Sequence, residues 1–298
     1  MSSFTAPTSL DEVLVALAAG ARPVAGGTDL VVGARQGKKP LPEAIVSLHH
    51  LDQLRMMAHV SEGTRLGALV THEQIIADPT LQSSYTALVD ASSIVGSQAT
   101  RAHGTIGGNV MNASPAMETG GPLICFDASV VLSSTQGTRR VPVADLFVSP
   151  GKTLTRPDEL LVSIDLPPVA AGTGSSYVRL EYRQQMEIAI VGAAAVVTVV
   201  DGVITAARVT MTALSATIRR VPAAEAALVG ASAGRAAAEA AANAVAEASL
   251  PISDVRASAA YRRAMAAVIA RRAIQAALTR ATGGTVPIPA SAALHGAS

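Results

Sequence analysis

Two short stretches of this chain combine glycine pairs with small polar residues in a way that could do chemistry. One reads Val24-Ala25-Gly26-Gly27-Thr28-Asp29-Leu30 and the other Thr105-Ile106-Gly107-Gly108-Asn109. Each enters through an apolar or β-branched residue, turns on two glycines and leaves through a small polar side chain. Glycine lets backbone N–H groups come close to a ligand because no Cβ stands in the way. Successive outward N–H groups form a concavity that suits a phosphate. The two stretches therefore fit a clamp on a diphosphate from both sides. They fit equally well two tight turns with no ligand, since glycine is the default turn residue. Spacing alone leaves both readings open.

Other chemistries find less support. Cys125, the single cysteine, lies in the apolar run Pro122-Leu123-Ile124-Cys125-Phe126 and reads as a core residue. It excludes an internal disulfide and a four-thiolate cluster within the chain. The histidines at 49, 50, 59, 72, 103 and 295 show no metal-ligand spacing, and the adjacent His49-His50 pair reads as surface or loop. There is no G-x-S-x-G nucleophile context and no G-x-G-x-x-G opening a strand–helix unit.

The elements that must hold the glycine stretches follow from periodicity. Ser9 with Glu12 has the capping-box pattern, and Leu10, Val13, Leu14 and Leu17 recur at helical spacing before Gly20. A strand over 22–25 runs into the first glycine turn, 30–34 resumes as helix or short strand, and 44–48 is another strand. Together they make a small βαβ-like unit, with a basic, proline-broken loop at Lys38-Lys39-Pro40. Past residue 56 come strands at 59–60 and 65–70, a helix at 71–76 ended by Asp78-Pro79, and a helix over 81–93. A hairpin of 129–132 with 138–141 follows, then closing segments 143–147 and 160–166.

Pro167-Pro168 through Ser176 is the clearest linker. Beyond it, 176–183, 188–200 and 203–213 read as three strands, with Asp201-Gly202 a strong hairpin signal. Alanine-rich helices over 223–229, 234–248 and 255–279 complete the chain. The tail after Gly283-Gly284 has no periodicity and is expected to be loose or to drape over a partner.

Composition bounds the function. The chain has 298 residues, 49% hydrophobic and 15% charged, enough for one large domain or two ordinary ones. With 23 basic and 22 acidic residues its net charge is +1, so no strong field recruits nucleic acid. No secretory segment is evident at the start and no apolar run is long enough to span a membrane. A cytoplasmic location is expected.

The motifs taken together carry a family resemblance. AGGTDL at 25–30, THEQI at 71–75, TRAHGTIGGNVMNASPAME at 100–118 and VPVADLFVSPGKT at 141–153 resemble the FAD-binding medium subunit of the molybdenum hydroxylases. Carbon monoxide dehydrogenase and the xanthine dehydrogenase flavin domain belong to that family. The resemblance implies an α+β fold: a two-lobed FAD-binding domain (PCMH-type) over 1–172, with lobes of about 1–55 and 56–172, then a three-stranded antiparallel sheet with packed helices over 173–285. A loose tail would occupy 286–298.

The resemblance also implies roles. Val24, Ala25, Gly26, Gly27, Thr28, Asp29 and Leu30 would hold the FAD diphosphate, with Gly104, Thr105, Gly107 and Gly108 opposite them. Asn109 and Asn112 would donate side-chain amides. Glu118 stands where the family usually has Asp, and would accept from the ribityl chain or ring; its competing role is to cap the helix after it. Leu161 would pack on the isoalloxazine, and Arg179 would place a cation near its pyrimidine end, unless it is a surface arginine on an edge strand. Ile188 falls where some members carry an aromatic residue over the flavin face.

The FAD would be dissociable. Two [2Fe–2S] clusters on a small subunit would pass electrons to it, and a large subunit would carry molybdopterin, in a heterotrimer that is itself dimeric. This chain would be an oxidoreductase subunit that hydroxylates nothing alone. The alternative is a self-contained FAD-dependent oxidoreductase of the wider superfamily.

Overall fold

The computed structural model describes residues 3–37, 40–183 and 185–291. Lys38 and Lys39 of the basic loop, and 292–298 of the tail, lie outside the described residues. No described helix is long and apolar enough to cross a membrane.

The first lobe is a parallel three-stranded sheet ordered Ser3–Thr5, Ala44–Ser47, Arg22–Val24. The strand at Ser3–Thr5, too short and polar to show in the pattern, extends the expected βαβ unit. Helix Leu10–Ala18 starts on Ser9, whose hydroxyl accepts from the Glu12 N–H, and stops before Gly20 in a left-handed conformation. Its apolar stripe, Val13, Leu14 and Leu17, is buried with Val46, Leu48, Leu51 and Leu54. The segment after the first glycine turn is a helix, Leu30–Arg35.

The second lobe is an antiparallel sheet ordered Met57–Val60, Gly63–Gly67, Leu160–Leu166, Ser129–Ser134, Gly137–Pro142, with helices between Thr71 and Phe126 covering its apolar face. Thr71 forms the N-cap and, with Gln74, a full capping box for helix His72–Ala77. Asp78-Pro79 ends that helix and also starts the next, Pro79–Ser84, through the Asp78 carboxylate. The single helix expected over 81–93 is thus two, broken at Tyr85 before Thr86–Ser93.

The third part is an antiparallel meander of Thr173–Leu180, Val191–Val200, Val203–Thr212 and a short fourth strand, Arg219–Arg220, added to the three expected. Asp201 and Gly202 both have positive φ, the signature of the tight hairpin turn their sequence announces. Helices Arg235–Ala248 and Ala259–Ala281 cover the sheet. The packing needs small residues: a Cβ on Gly174 would lie 2.2 Å from the Ala277 carbonyl oxygen. The tail is pinned up to residue 291, not loose. Ala290 donates its N–H to buried Asp90, and Arg280 donates to the Pro287 carbonyl.

Candidate functional site

The first glycine turn leaves the strand Arg22–Val24 and enters helix Leu30–Arg35. Gly27 has φ +70°, a conformation that favours glycine. A Cβ on Gly26 would sit 1.9 Å from the His103 carbonyl oxygen, so the two glycine segments touch there. Among the described residues, the N–H groups of Gly26, Gly27 and Thr28 donate to no backbone carbonyl. Thr28 Oγ1 lies 3.7 Å from where a Cβ on Gly104 would stand, so its hydroxyl is held against the second segment.

The second turn is built differently from the expectation. Ile106 and Gly107 donate their N–H groups to the carbonyls of Val70 and Ala68, Gly108 to Thr105 Oγ1, and Asn109 to the Thr105 carbonyl. Thr105 is the N-cap of helix Ile106–Met111, and Gly107 is there because a Cβ would lie 2.6 Å from the Ala68 carbonyl oxygen. Of the backbone donors that were to face a phosphate from this side, those of Gly104, Gly107 and Gly108 are engaged within the protein. Asn109 Oδ1 accepts from Thr119 Oγ1 at 2.5 Å, which turns its amide nitrogen away from that contact. Asn112 ends the helix on the surface.

Between the turns lies a cleft of about 170 Å³, lined by Ala25, Gly26, Thr71 and Thr105 and by three groups that can carry positive charge, His49, Arg55 and His103. Arg55 Nη2 donates to the His49 carbonyl at 2.9 Å and meets its Nδ1 at 3.1 Å, which holds the guanidinium at the rim. Ligand pockets generally run to about 300–1,000 Å³, so this cleft has room for only part of a cofactor-sized molecule. Sequence reasoning passed over these three residues. The His49-His50 pair reads from sequence as surface or loop, and His103 lies within the 100–118 motif without a role assigned to it. Among the described residues, no group of three His, Cys, Asp or Glu side chains could hold a metal ion.

Glu118 and Arg179 meet each other. Arg179 lies on the edge strand Thr173–Leu180 yet is fully buried, donating Nη1 to Glu118 at 2.5 Å and Nε to Glu181 at 3.2 Å. Nη1 also reaches the Glu187 carbonyl at 3.3 Å, tying down the segment that carries Ile188. Among the described residues Nη2 has no partner. Both alternative roles fail: Arg179 is no surface arginine, and helix Gly120–Cys125 takes no side-chain cap. Burial pushes the Glu118 carboxyl up, against the pull of Arg179.

Leu161 is likewise closed off. It pairs with Leu132 and is 3% exposed in the core of the second lobe, which leaves no face for a ring to stack on. The structure therefore joins the first turn to Gly104 and Thr105 and joins Glu118 to Arg179, while Leu161 is buried in the core of the second lobe.

Comparison with known proteins decides the family. Residues 1–169 match the model of the FAD binding domain in molybdopterin dehydrogenase, and 176–277 match the CO dehydrogenase flavoprotein C-terminal domain. The chain belongs to this family. It is 28% identical to the carbon monoxide dehydrogenase medium chain of Hydrogenophaga pseudoflava over 93% of this chain and 97% of that one. A putative xanthine dehydrogenase FAD-binding subunit of Escherichia coli is 31% identical over 59% of this chain and 60% of its own. The solved structure of the Hydrogenophaga pseudoflava carbon monoxide dehydrogenase lacking the Mo-pyranopterin moiety superposes with a TM-score of 0.90 at 30% identity, covering 94% of this chain and 98% of that one.

The chain is thus a flavoprotein subunit of a molybdenum hydroxylase, and its α+β architecture is that of carbon monoxide dehydrogenase medium chains. The cofactor of the family is FAD, and the cleft fits its anionic part. The lining of the cleft joins the Gly26 loop, whose N–H groups donate to no backbone carbonyl among the described residues, with one arginine and two histidines.

Proposed function

We propose that this chain holds FAD non-covalently between its two glycine segments and relays electrons from [2Fe–2S] clusters of a small subunit to an outside acceptor. A large molybdopterin subunit would carry out the hydroxylation, in a cytoplasmic assembly of paired heterotrimers. The observation that carries the reading is the interlock of Gly26 with the His103 carbonyl, which brings the second lobe against the first-lobe cleft lined by His49 and Arg55.

Bound flavin supplies the two-electron redox chemistry; the protein supplies binding and electrostatics. The N–H groups of Gly26, Gly27 and Thr28 hold phosphate oxygens, and Arg55 adds a fixed charge, with His49 and His103 beside it. The second segment acts through Thr105, Gly104 and the Asn109 amide, as a wall more than as a donor nest. Glu118 and Arg179 position the backbone at Glu187, next to Ile188, from behind. A division of the chain at 172/173 belongs to the same reading, supported by family matches that end at 169 and resume at 176.

The test is to purify the tagged chain with whatever it assembles with, and follow flavin absorbance anaerobically as substrate is added. Bleaching that requires the iron–sulfur subunit supports the relay. A lone chain whose flavin is bleached by a small organic substrate overturns it in favour of a self-contained oxidoreductase.

A further inference from the structure

We propose that Met186 is an oxidation-sensitive pin: hydrogen peroxide converts its thioether to the sulfoxide, and the backbone it fastens then lets go of the cleft wall. Its effect on the cofactor rests on the FAD reading above; the oxidation itself does not.

Met186 is 57% exposed, and among the described residues only Met56, at 66%, is a second exposed methionine. Its φ is +53°, in the left-handed region that a residue with a Cβ seldom adopts. Such a conformation persists only where the contacts around it over-determine it. Three contacts do so here. The Met186 N–H donates to the Gly96 carbonyl at 3.0 Å, its carbonyl accepts from Arg183 Nη2 at 3.0 Å, and its Sδ accepts from Thr100 Oγ1 at 3.7 Å.

Two of the three reach the cleft wall. Gly96 stands just before helix Gln98–His103 and Thr100 lies within it. Ala102 and His103, at the end of the same helix, line the cleft, and the His103 carbonyl is the atom that meets Gly26. From Thr100 to His103 is less than one helical turn, about 4.5 Å along the axis.

Peroxide oxidises a thioether in one two-electron step. The sulfur gives a lone pair to one peroxide oxygen, an S–O bond forms and the O–O bond breaks. The sulfur is oxidised, and the second oxygen leaves as water. Dioxygen that takes two electrons from a flavin site becomes this same oxidant, so Met186 stands close to a source of it.

The sulfoxide is polar, chiral and larger by one oxygen. At Met186 the addition falls in a contact without slack. A Cβ on Gly96 would lie 2.7 Å from both Cβ and Cγ2 of Thr100, so Thr100 is packed on the Gly96 backbone and cannot retreat that way. Its hydroxyl is also 3.1 Å from Ser97 Oγ, which caps the helix by accepting the Thr100 N–H. Met186 must give way instead, and its left-handed backbone then loses one of three fastenings. Met56 has an ordinary φ of −76°, so the same oxidation there releases no strain.

The experiment treats the complex as expressed with stepped hydrogen peroxide. Peptide mass mapping follows the sulfoxide at each methionine. Trypsin reports on the backbone through cleavage after Arg183, whose side chain is 69% exposed, and filtration reports released flavin. Parent, Met186→Leu and Met56→Leu are compared. In the parent, cleavage after Arg183 should quicken fivefold or more and flavin release threefold or more, both tracking the sulfoxide fraction at Met186 and not that at Met56. Met56→Leu should respond like the parent. Met186→Leu, which keeps the bulk without the sulfur, should show the same rates before and after peroxide. Methionine sulfoxide reductase should return the oxidised parent to its starting rates. Oxidised Met186 with unchanged cleavage and flavin release overturns the pin, and so does a Met186 that stays reduced where Met56 is oxidised. A parent that holds no flavin overturns the FAD reading alone, since the cleavage rate still decides the oxidation site.

Discussion

A Cβ added at Gly26 would stand 1.9 Å from the carbonyl oxygen of His103, and that closeness is what brings the two glycine segments together. His103 is the last residue of helix Gln98–His103, so a backbone carbonyl, which cannot swing aside like a flexible side chain, is the obstacle. Gly26→Ala must push the first lobe off the second. We expect FAD affinity to fall about tenfold or more, which is ~1.4 kcal/mol. Gly33, in the helix that follows, has nothing within 4 Å of its missing Cβ. Gly33→Ala should leave FAD affinity unchanged and stabilise the chain by about 0.5–1 kcal/mol through helix propensity. Flavin titration and urea unfolding of the pair check both statements; equal flavin affinity in the two variants would sink the interlock.

The Glu118–Arg179 pair predicts a stability effect instead of a binding one. Arg179→Met strands two buried carboxylates, Glu118 and Glu181, without the guanidinium that both contact. Removing one partner of a buried pair costs about 3–5 kcal/mol. Glu118→Gln should cost less, about 1–2 kcal/mol, because burial already disfavours the charged carboxylate and an amide keeps an acceptor for Arg179. The double replacement should be less destabilised than the sum of the singles. Chemical denaturation of the four proteins measures the coupling, and simple additivity would show that the contact contributes nothing.

The tail gives a third expectation. Asp90, fully buried, accepts from the N–H groups of Tyr177 and Ala290 and from both Nη atoms of Arg280, while Arg280 donates to the Val286 and Pro287 carbonyls. Cutting the chain after Thr285 leaves Asp90 and Arg280 in place but removes part of their hydrogen-bonded shell. At about 1 kcal/mol for each lost bond, the truncated chain should melt several degrees lower. An unchanged melting curve would return the tail to the loose state its sequence suggested.

Much of the fold was legible because local signals agreed with the tertiary outcome. Leu10, Val13, Leu14 and Leu17 sit at helical spacing and bury as one stripe, and Asp201-Gly202 turns where it must. The first glycine stretch was legible as a turn for the same reason: Gly27 has positive φ, and the N–H groups of Gly26 and Gly27 donate to no backbone carbonyl among the described residues. The second misled because the sequence shows glycines but not which carbonyls approach them: Val70 and Ala68, distant in sequence, take the N–H groups. Arg55 was invisible because its value to the site comes from the His49 carbonyl that orients it. Leu161 and Arg179 were correctly placed on strands, but which face of the sheet each closes depends on the bulge after Leu161 and on packing between lobes.

His72 ties the glycine site to pH. Its imidazole is 1% exposed, with Nδ1 at 3.4 Å from Ser92 Oγ, and its backbone N–H donates to the Gly104 carbonyl. Burial, reinforced by the nearby Arg101 charge, lowers its pKa from 6.5 to about 4. The folded state therefore holds the neutral ring while the unfolded chain binds a proton below pH 6.5. Stability is full above that value, falls as pH drops toward about 4 and levels off below it. The difference of about 2.5 pH units corresponds to roughly 3 kcal/mol. Urea unfolding at pH 7 and pH 4.5 should show most of that loss in the parent, and His72→Gln, which cannot titrate, should flatten it. Because the ring lies against Gly104, which a Cβ at that position would approach to 3.4 Å at His72 Cδ2, the same protonation should loosen the wall of the cleft. Flavin release should then track the loss of stability in the parent and lose its pH dependence in the variant. A variant that keeps the parent's slope would place the titrating group elsewhere.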